Sequence, residues 1–378
     1  MVAMSYTVLA RRYRSTTFDE VVGQEAIART LRAAIERGRV AHAYLFCGTR
    51  GVGKTSMARI FAKALNNSEG NAEVDKAIMS GQDVDVVEID GASNRGVEQA
   101  REVIGNAAYR PMRGGFKIYI IDEVHMLTKE AFNALLKTME EPPEHVKFIL
   151  CTTEPEKVPA TIQSRCQRFD FRNISAAKIA EHLRSVLAGE GIEAEPELVW
   201  QVARAGNGSM RDALSLLDRL AASGEKKLTV ELLEQLLGLP PRELLGELLT
   251  AAADGDVGGT LSKAATLLGQ GVSAEQVIES LLDRLRDLMV VSACGPETDL
   301  VELSDEVRSE EGALAQRFDT AGIVHMIALC ESVQRLMRSS SVPRALFDAL
   351  MARLAMSESF ADAAALVAGG GGGSSGKG

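Results

Sequence analysis

Gly48-Thr49-Arg50-Gly51-Val52-Gly53-Lys54-Thr55 decides how this chain folds, because the octapeptide follows the pattern G-x-x-x-x-G-K-T of a phosphate-binding loop. The apolar run Ala43-Tyr44-Leu45-Phe46-Cys47 before it predicts a buried strand, and Ser56 to Leu65 after it predicts a helix. Strand, loop and helix in that order are the context the motif requires. Glycines let backbone N–H groups approach phosphate oxygens, and the helix N-terminus adds a partial positive charge. Gly48, Thr49, Arg50, Gly51, Val52, Gly53 and Ser56 are therefore expected around the phosphates. In such a loop Lys54 reaches the β- and γ-phosphates, and the Thr55 hydroxyl ligates Mg²⁺.

Further along, a polar stretch from Asn66 to Gln82 leads to a strand over Val84–Asp90 and a helix over Ser93–Asn106. Phe116-Lys117-Ile118-Tyr119-Ile120-Ile121 is a buried strand that ends in the acid pair Asp122-Glu123. A helix over 128–140 stops at Glu141-Pro142-Pro143, and a last strand, Val146–Cys151, ends in Thr152-Thr153. Strands alternating with helices imply a parallel sheet covered on both faces, with ligands at the carboxyl ends of its strands. Asp122 is there to hold the Mg²⁺ shell, and Glu123 to polarise an attacking water. Thr153 or Thr152, one strand over, would hydrogen-bond the γ-phosphate or that water. His125 completes Asp-Glu-Val-His and reads as a structural partner, not a base. Arg165 closes a short helix after the last strand, and Arg211 lies one turn into a helix that begins after Gly206-Asn207-Gly208. Phosphoryl transfer needs positive charge at the γ-phosphate, and a neighbouring subunit often supplies it as an arginine.

The chain has 378 residues, enough for two or three domains, and its 46% hydrophobic and 25% charged content is that of an ordinary globular protein. No stretch approaches the roughly 18 apolar residues of a membrane span, and the start, Met1-Val2-Ala3-Met4-Ser5, is too short and polar for a secretory signal. Met4 reads as a second candidate initiator beside Met1. The 5 cysteines are scattered and never spaced C-x-x-C, which reads as reduced cytosolic thiols with neither a disulfide framework nor a zinc site. The 5 histidines also lack ligand spacing, so metallohydrolase chemistry loses support. The formal charge of −10 is unevenly spread: residues 1–60 carry ten Lys/Arg against four Asp/Glu, and residues 225–310 carry seven against seventeen. A basic front and an acidic back suit a protein that meets polyanions on one side only.

Taken in order, these segments resemble AAA+ ATPases. Tyr6 to Arg14, Phe18-Asp19-Glu20-Val21-Val22-Gly23-Gln24, Ala41-His42-Ala43-Tyr44-Leu45-Phe46 and Phe132 to His145 resemble the gamma/tau subunits of bacterial DNA polymerase III, the ATPases of the clamp loader. The resemblance covers about residues 4–240. It implies that Arg165, in Ser164-Arg165-Cys166, is an arginine finger reaching an adjacent subunit's ATP. It also implies that Arg211 is the sensor-2 arginine, that Thr153 is at the sensor-1 position, and that Tyr13 with Val22 and its neighbours lines the adenine pocket. Arg95, Arg101 and Lys137 are at or near positions that would touch primed DNA. Two departures stand out: Asn66 to Asp83 holds no cysteine where many relatives carry a four-cysteine zinc module, so no zinc is expected, and the usual Arg-Pro is Arg14-Ser15.

The fold expected is α/β: a nucleotide-binding AAA+ domain over 1–173, a three-helix lid over 174–238, and an all-α collar over 239–368 with apolar helical stripes such as Val277-Ile278, Leu281-Leu282 and Leu285. Residues 369–378 read as a disordered Gly/Ser tail. The chain is then either the short gamma-type form or a truncated tau-type form. The resemblance implies ATP and Mg²⁺ as ligands, and as partners the delta and delta-prime subunits, further copies of itself, the beta sliding clamp and primed DNA. It further implies a cytoplasmic, nucleoid-associated place away from membranes. A branch-migration type of AAA+ motor and a nucleotide-gated scaffold with negligible turnover are the alternatives.

Overall fold

The computed structural model of the chain describes residues 7–67, 70–94, 96, 98, 105, 107–298, 300–301, 303 and 305–356. It divides into two compact units, residues 1–193 with 201–224, and residues 194–200 with 225–378.

In the first unit α1 (Leu9–Arg12) and α2 (Glu25–Glu36) precede β1 (Ala43–Cys47), and the phosphate-loop sequence runs from β1 into α3 (Lys54–Asn66). Then come α4 (Ala72–Ser80), β2 (Val86–Asp90), β3 (Lys117–Asp122), α5 (Lys129–Glu140), β4 (Val146–Thr152), α6 (Ala160–Gln163) and β5 (Gln167–Asp170). The strands form one parallel sheet in the order β2-β3-β4-β1-β5. Helices α7 (Ala176–Glu190) and α9 (Met210–Ala221) follow, and α8 (Pro196–Ala205) between them is shared by the two units.

Both faces of the sheet are covered, so its central strands are apolar throughout: every residue of β1 and of β4 is buried. The two-residue period of a strand splits β1 between two cores. Tyr44 and Phe46 join Leu31 of α2 and Met57 and Phe61 of α3, with the Tyr44 and Phe61 rings edge to face at 4.9 Å. Ala43, Leu45 and Cys47 join Phe132, Leu135 and Met139 of α5 on the opposite face. Each such Leu, Met or Phe contributes about 1.5–3 kcal/mol by leaving water. Helix α5 starts where the Thr128 hydroxyl accepts the Ala131 N–H at 3.2 Å, and it stops just before Pro142-Pro143.

The register positions the site. Cys47 pairs with Thr152 on one side and with Asp170 on the other, and Asp90 pairs with Asp122. The turn after β1, the acids after β3 and the threonines after β4 therefore emerge at one edge of the sheet.

Two elements depart from the sequence reading. The stretch taken as polar contains α4, capped by Asn71, which accepts the Glu73 and Val74 N–H groups, and closed by Gly81 at φ +73. Its only buried residue is Ile78, too little apolar periodicity to announce a helix. β4 is also not the last strand, because Gln167-Arg168-Phe169-Asp170 adds β5 beside β1. That edge strand is mostly exposed and polar, so it carries no buried-strand signature. The helix expected over 93–106 lies largely outside the described residues.

The second unit is helical: α10 (Val230–Leu237), α11 (Arg242–Ala253), α12 (Val257–Gly269), α13 (Ala274–Cys294), α14 (Asp305–Ala315), α15 (Thr320–Met337) and α16 (Pro343–Ala355). The stripe Val277, Ile278, Leu281 and Leu285 of α13 faces its core, together with Met326 of α15 and Phe347 of α16. Ser273 and Gln276 close a reciprocal cap at the start of α13. Among the described residues no helix is long and apolar enough to cross a membrane. The glycine-rich tail expected at 369–378 lies outside them.

Candidate active site

At the carboxyl edge of the sheet a cleft of about 280 Å³ opens between the turn after β1, the N-terminal segment and the start of α9. Arg50, Gly51, Val52, Gly53, Lys54, Thr55 and Ser56 line it, as do Asp122 and Glu123 at the end of β3. Tyr13, Val22 and Arg211 line it as well.

Lys54 begins α3, and its Nζ donates to the carbonyls of Gly48 and Thr49 at 2.7 and 2.8 Å. The loop thus curls around its own lysine. Burial lowers the Lys54 pKa, an effect opposed by Cys151, Glu123 and Asp122 nearby. The Thr55 hydroxyl donates to Asp122 Oδ2 at 2.6 Å, so the two oxygens expected at a divalent cation are neighbours. The Thr153 hydroxyl donates to Glu123 Oε2 at 3.2 Å. Glu123 itself sits at φ +46, a conformation a β-carbon resists, and its carbonyl packs against Gly91, where a Cβ would lie 2.6 Å from it.

Arg211 reaches this cleft because α9 begins against the phosphate loop. A Cβ on Gly51 would lie 1.9 Å from Ser209 Oγ, the oxygen that caps α9 by accepting the Asp212 N–H. At the apolar end, Val21, Val22, Ile174 and Leu214 surround an opening flanked by Tyr13 and His182. The Tyr13 hydroxyl donates to Glu190 at the end of α7, a bond that raises its pKa. Burial lowers the His182 pKa below its ordinary 6.5, leaving a neutral ring at pH 7.

Among the cleft residues that carried no site assignment from sequence are four titratable ones: Arg14, Arg59, Glu88 and His182. Arg59 grips Glu88 through two bonds of 2.7 and 2.8 Å and donates to the Met79 carbonyl at 2.6 Å. A charged residue in the otherwise apolar run Val86-Val87-Glu88-Ile89 was the available signal. Arg14 lies in the field of both Arg59 and Arg211, and burial together with those two charges lowers its pKa. Guanidiniums crowded this way call for an anion.

Other expected residues fall elsewhere. Arg165 lies off the cleft, bonded to the Thr161 carbonyl and to Glu140 Oε1, both at 2.7 Å. Lys137 is on the exposed face of α5. Arg95 and Arg101 lie outside the described residues. Among the described residues no three His, Cys, Asp or Glu side chains gather as a metal cage.

A five-stranded parallel sheet with a phosphate loop after β1, an acid pair after β3 and a helical lid behind it defines an AAA+ P-loop fold. Three family models match in succession: DNA polymerase III, delta subunit, over residues 23–175; DNA polymerase III clamp loader subunit, ATPase lid domain, over 178–226; and DNA polymerase III subunits gamma and tau domain III, over 228–369. The chain belongs to the gamma/tau subunit family of DNA polymerase III. It is 39% identical over 296 residues to the subunit gamma of Buchnera aphidicola, covering 76% of this chain and 81% of that one. It is 49% identical over 243 residues to subunit tau/gamma of Haemophilus influenzae, covering 62% of this chain and 35% of that protein. With subunit tau of Bacillus subtilis it shares 39% identity over 361 residues, 93% of this chain and 63% of that one. It thus spans less than two thirds of the length of these last two relatives. Among solved structures it is similar to the RuvB branch migration motor of Thermotoga maritima, with a TM-score of 0.47 and 19% identity over 63% of this chain and 78% of that one.

Proposed function

We propose that this chain is the ATPase motor subunit of a bacterial clamp loader, using ATP to place the sliding clamp on primed DNA. The observation that carries this reading is the convergence of Lys54, the Thr55–Asp122 pair, the Thr153–Glu123 pair and Arg211 on one cleft. Its phosphate end is cationic and its far end is apolar, as a nucleoside triphosphate requires.

Lys54 would give up its two loop carbonyls for the β- and γ-phosphates, with the loop N–H groups taking the remaining oxygens. A bound Mg²⁺ would neutralise phosphate charge, held by Thr55 and Asp122. Glu123, steadied by Thr153, would accept the proton of the attacking water, and Arg211 would meet the γ-phosphate from the lid. Tyr13 and Val22 would flank the adenine. Arg165 sits outside its own cleft, which suits service to an adjacent subunit's ATP. ATP binding would then order this chain, further copies of itself, delta and delta-prime into a spiral that opens the beta clamp. Hydrolysis on primed DNA would release the closed ring. Lys137, Arg95 and Arg101 are the proposed DNA contacts, and the place of action would be the cytoplasmic replisome.

The test is steady-state ATP turnover of the chain assembled with delta and delta-prime, with clamp and primed DNA added separately and together. Synergistic stimulation is the expected outcome, and Arg165→Ala should lose at least about a thousandfold in turnover while each chain still binds nucleotide. Turnover indifferent to clamp and primer junction overturns the assignment.

A further inference from the structure

Arg14 takes no part in the chemistry above, yet the fold fixes the chain on both sides of it. Helix α1 packs along α9, and the Leu9 N–H donates to Asp218 Oδ1 at 3.2 Å. Further on, the Tyr13 hydroxyl donates to Glu190 Oε1 at 2.5 Å, and Arg12 pairs with the same carboxylate. These contacts fasten the N-terminal arm to the lid helices. Beyond Arg14 the chain turns at once. In place of a proline ring, the Ser15 hydroxyl donates to the Glu20 carbonyl at 3.0 Å, and the Thr16 N–H to Glu20 Oε2 at 2.7 Å. Arg14 from the arm and Arg211 from the helix it rests on line the same cleft as Lys54 and Thr55.

The Arg14 guanidinium has no counterion in the protein. It is partly buried, yet among the described residues it forms no hydrogen bond or ion pair. Glu88 lies in its field, but both oxygens of that carboxylate are engaged by Arg59, at 2.7 and 2.8 Å. Burial, and after it the charges of Arg59 and Arg211, lower the Arg14 pKa. A cation withdrawn from water among like charges costs free energy until an anion joins it. The planar fork of a guanidinium fits two oxygens of one phosphate.

We propose that Arg14 is a further ligand for the triphosphate, set at the phosphate end of the cleft by an arm fastened to the lid. This inference rests on the nucleotide reading of the cleft. Tyr13, the residue before it, keeps its place at the adenine, so the arm would meet both ends of the nucleotide.

The test is competition against a fluorescent ATP analogue on the full chain, with ATP, inorganic tripolyphosphate and adenosine as separate competitors. Arg14→Gln should weaken ATP and tripolyphosphate about tenfold to a hundredfold each, the worth of a hydrogen bond to a charged group. Adenosine should bind as it does to the wild type. Arg14→Lys, which keeps the charge without the fork, should recover part of the loss. Denaturant titration without nucleotide should find Arg14→Gln as stable as the wild type or more so, because one like charge has left the cluster. Unchanged ATP affinity in Arg14→Gln overturns the proposal. So does a loss that adenosine shares, which would place Arg14 at the nucleoside, or a lowered unfolding midpoint, which would make it structural. A wild-type chain that does not bind ATP instead overturns the nucleotide reading, and this inference with it.

Discussion

In the sheet unit Arg59 grips Glu88 beside two further guanidiniums, Arg14 and Arg211, that form no ion pair among the described residues. In the helical unit Arg242 and Arg284 converge on Glu311 Oε1 at 2.7 and 3.0 Å, with the Glu311 side chain 2% exposed. The Arg284 Nη1 also donates to the Arg242 carbonyl at 2.8 Å. The residue types match but the balance differs. Around Glu311 the positive charges belong to the fold, since Arg242 also meets Glu197 Oε1 at 3.6 Å and two carboxylates answer two guanidiniums. Around Glu88 positive charge is left over and faces an open cleft. Surplus charge in a cleft marks binding, and closed pairing in a core marks structure.

The contrast breaks most readily at Glu311. Glu311→Ala should cost about 3 kcal/mol of unfolding free energy, because it strands two partly buried guanidiniums, and denaturant titration of the chain reads it directly. A loss below about 1 kcal/mol would put this cluster with exposed ion pairs.

At Arg211 the opposite is expected. Arg211→Ala should weaken ATP binding about tenfold to a hundredfold, the worth of a hydrogen bond to a charged group, while stability stays level. Equilibrium binding of a fluorescent ATP analogue, run beside the same denaturant titration, separates the two effects. Lost stability at unchanged affinity would make Arg211 structural.

Asp85 sharpens the comparison as a third arrangement, a buried acid satisfied by backbone. It is 2% exposed and accepts the N–H groups of Met112, Arg113 and Gly114 at 2.8, 2.7 and 3.1 Å. Burial alone would raise its pKa, but these bonds and Lys117 outweigh it and hold the carboxyl below its ordinary 3.8. A depressed carboxyl stabilises fully above the unfolded pKa and loses that contribution as pH falls through the folded one. Asp85→Asn should therefore cost about 1 kcal/mol at neutral pH and flatten the acid side of the stability curve below about pH 4. A curve parallel to that of the wild type would show the three N–H bonds indifferent to charge.

Much of the site was legible because the phosphate loop is contiguous: eight consecutive residues carry both its backbone geometry and its lysine. Asp122 and Glu123 were legible because an apolar run ends abruptly in charge. Arg14 and Arg59 were not, since an arginine on a short segment or helix has the same local pattern whether it meets water or a cleft. Helix α4 and strand β5 escaped for a related reason, as each buries too little to leave a periodic trace.

The sequence by itself determined the alternation of strand and helix, the loop and its lysine, the acids at a strand end, and the family to which the chain belongs. Those are short-range facts, written within a turn or a strand. Only the tertiary structure decided that β4 lies between β1 and β3, which sets Thr152 opposite Cys47 and brings Thr153 to Glu123. It alone brought Ser209 and Arg211 against Gly51, and Glu154 to the ring of His125. Strand order and close approach follow from how separated apolar faces pack together, and no local pattern carries that information.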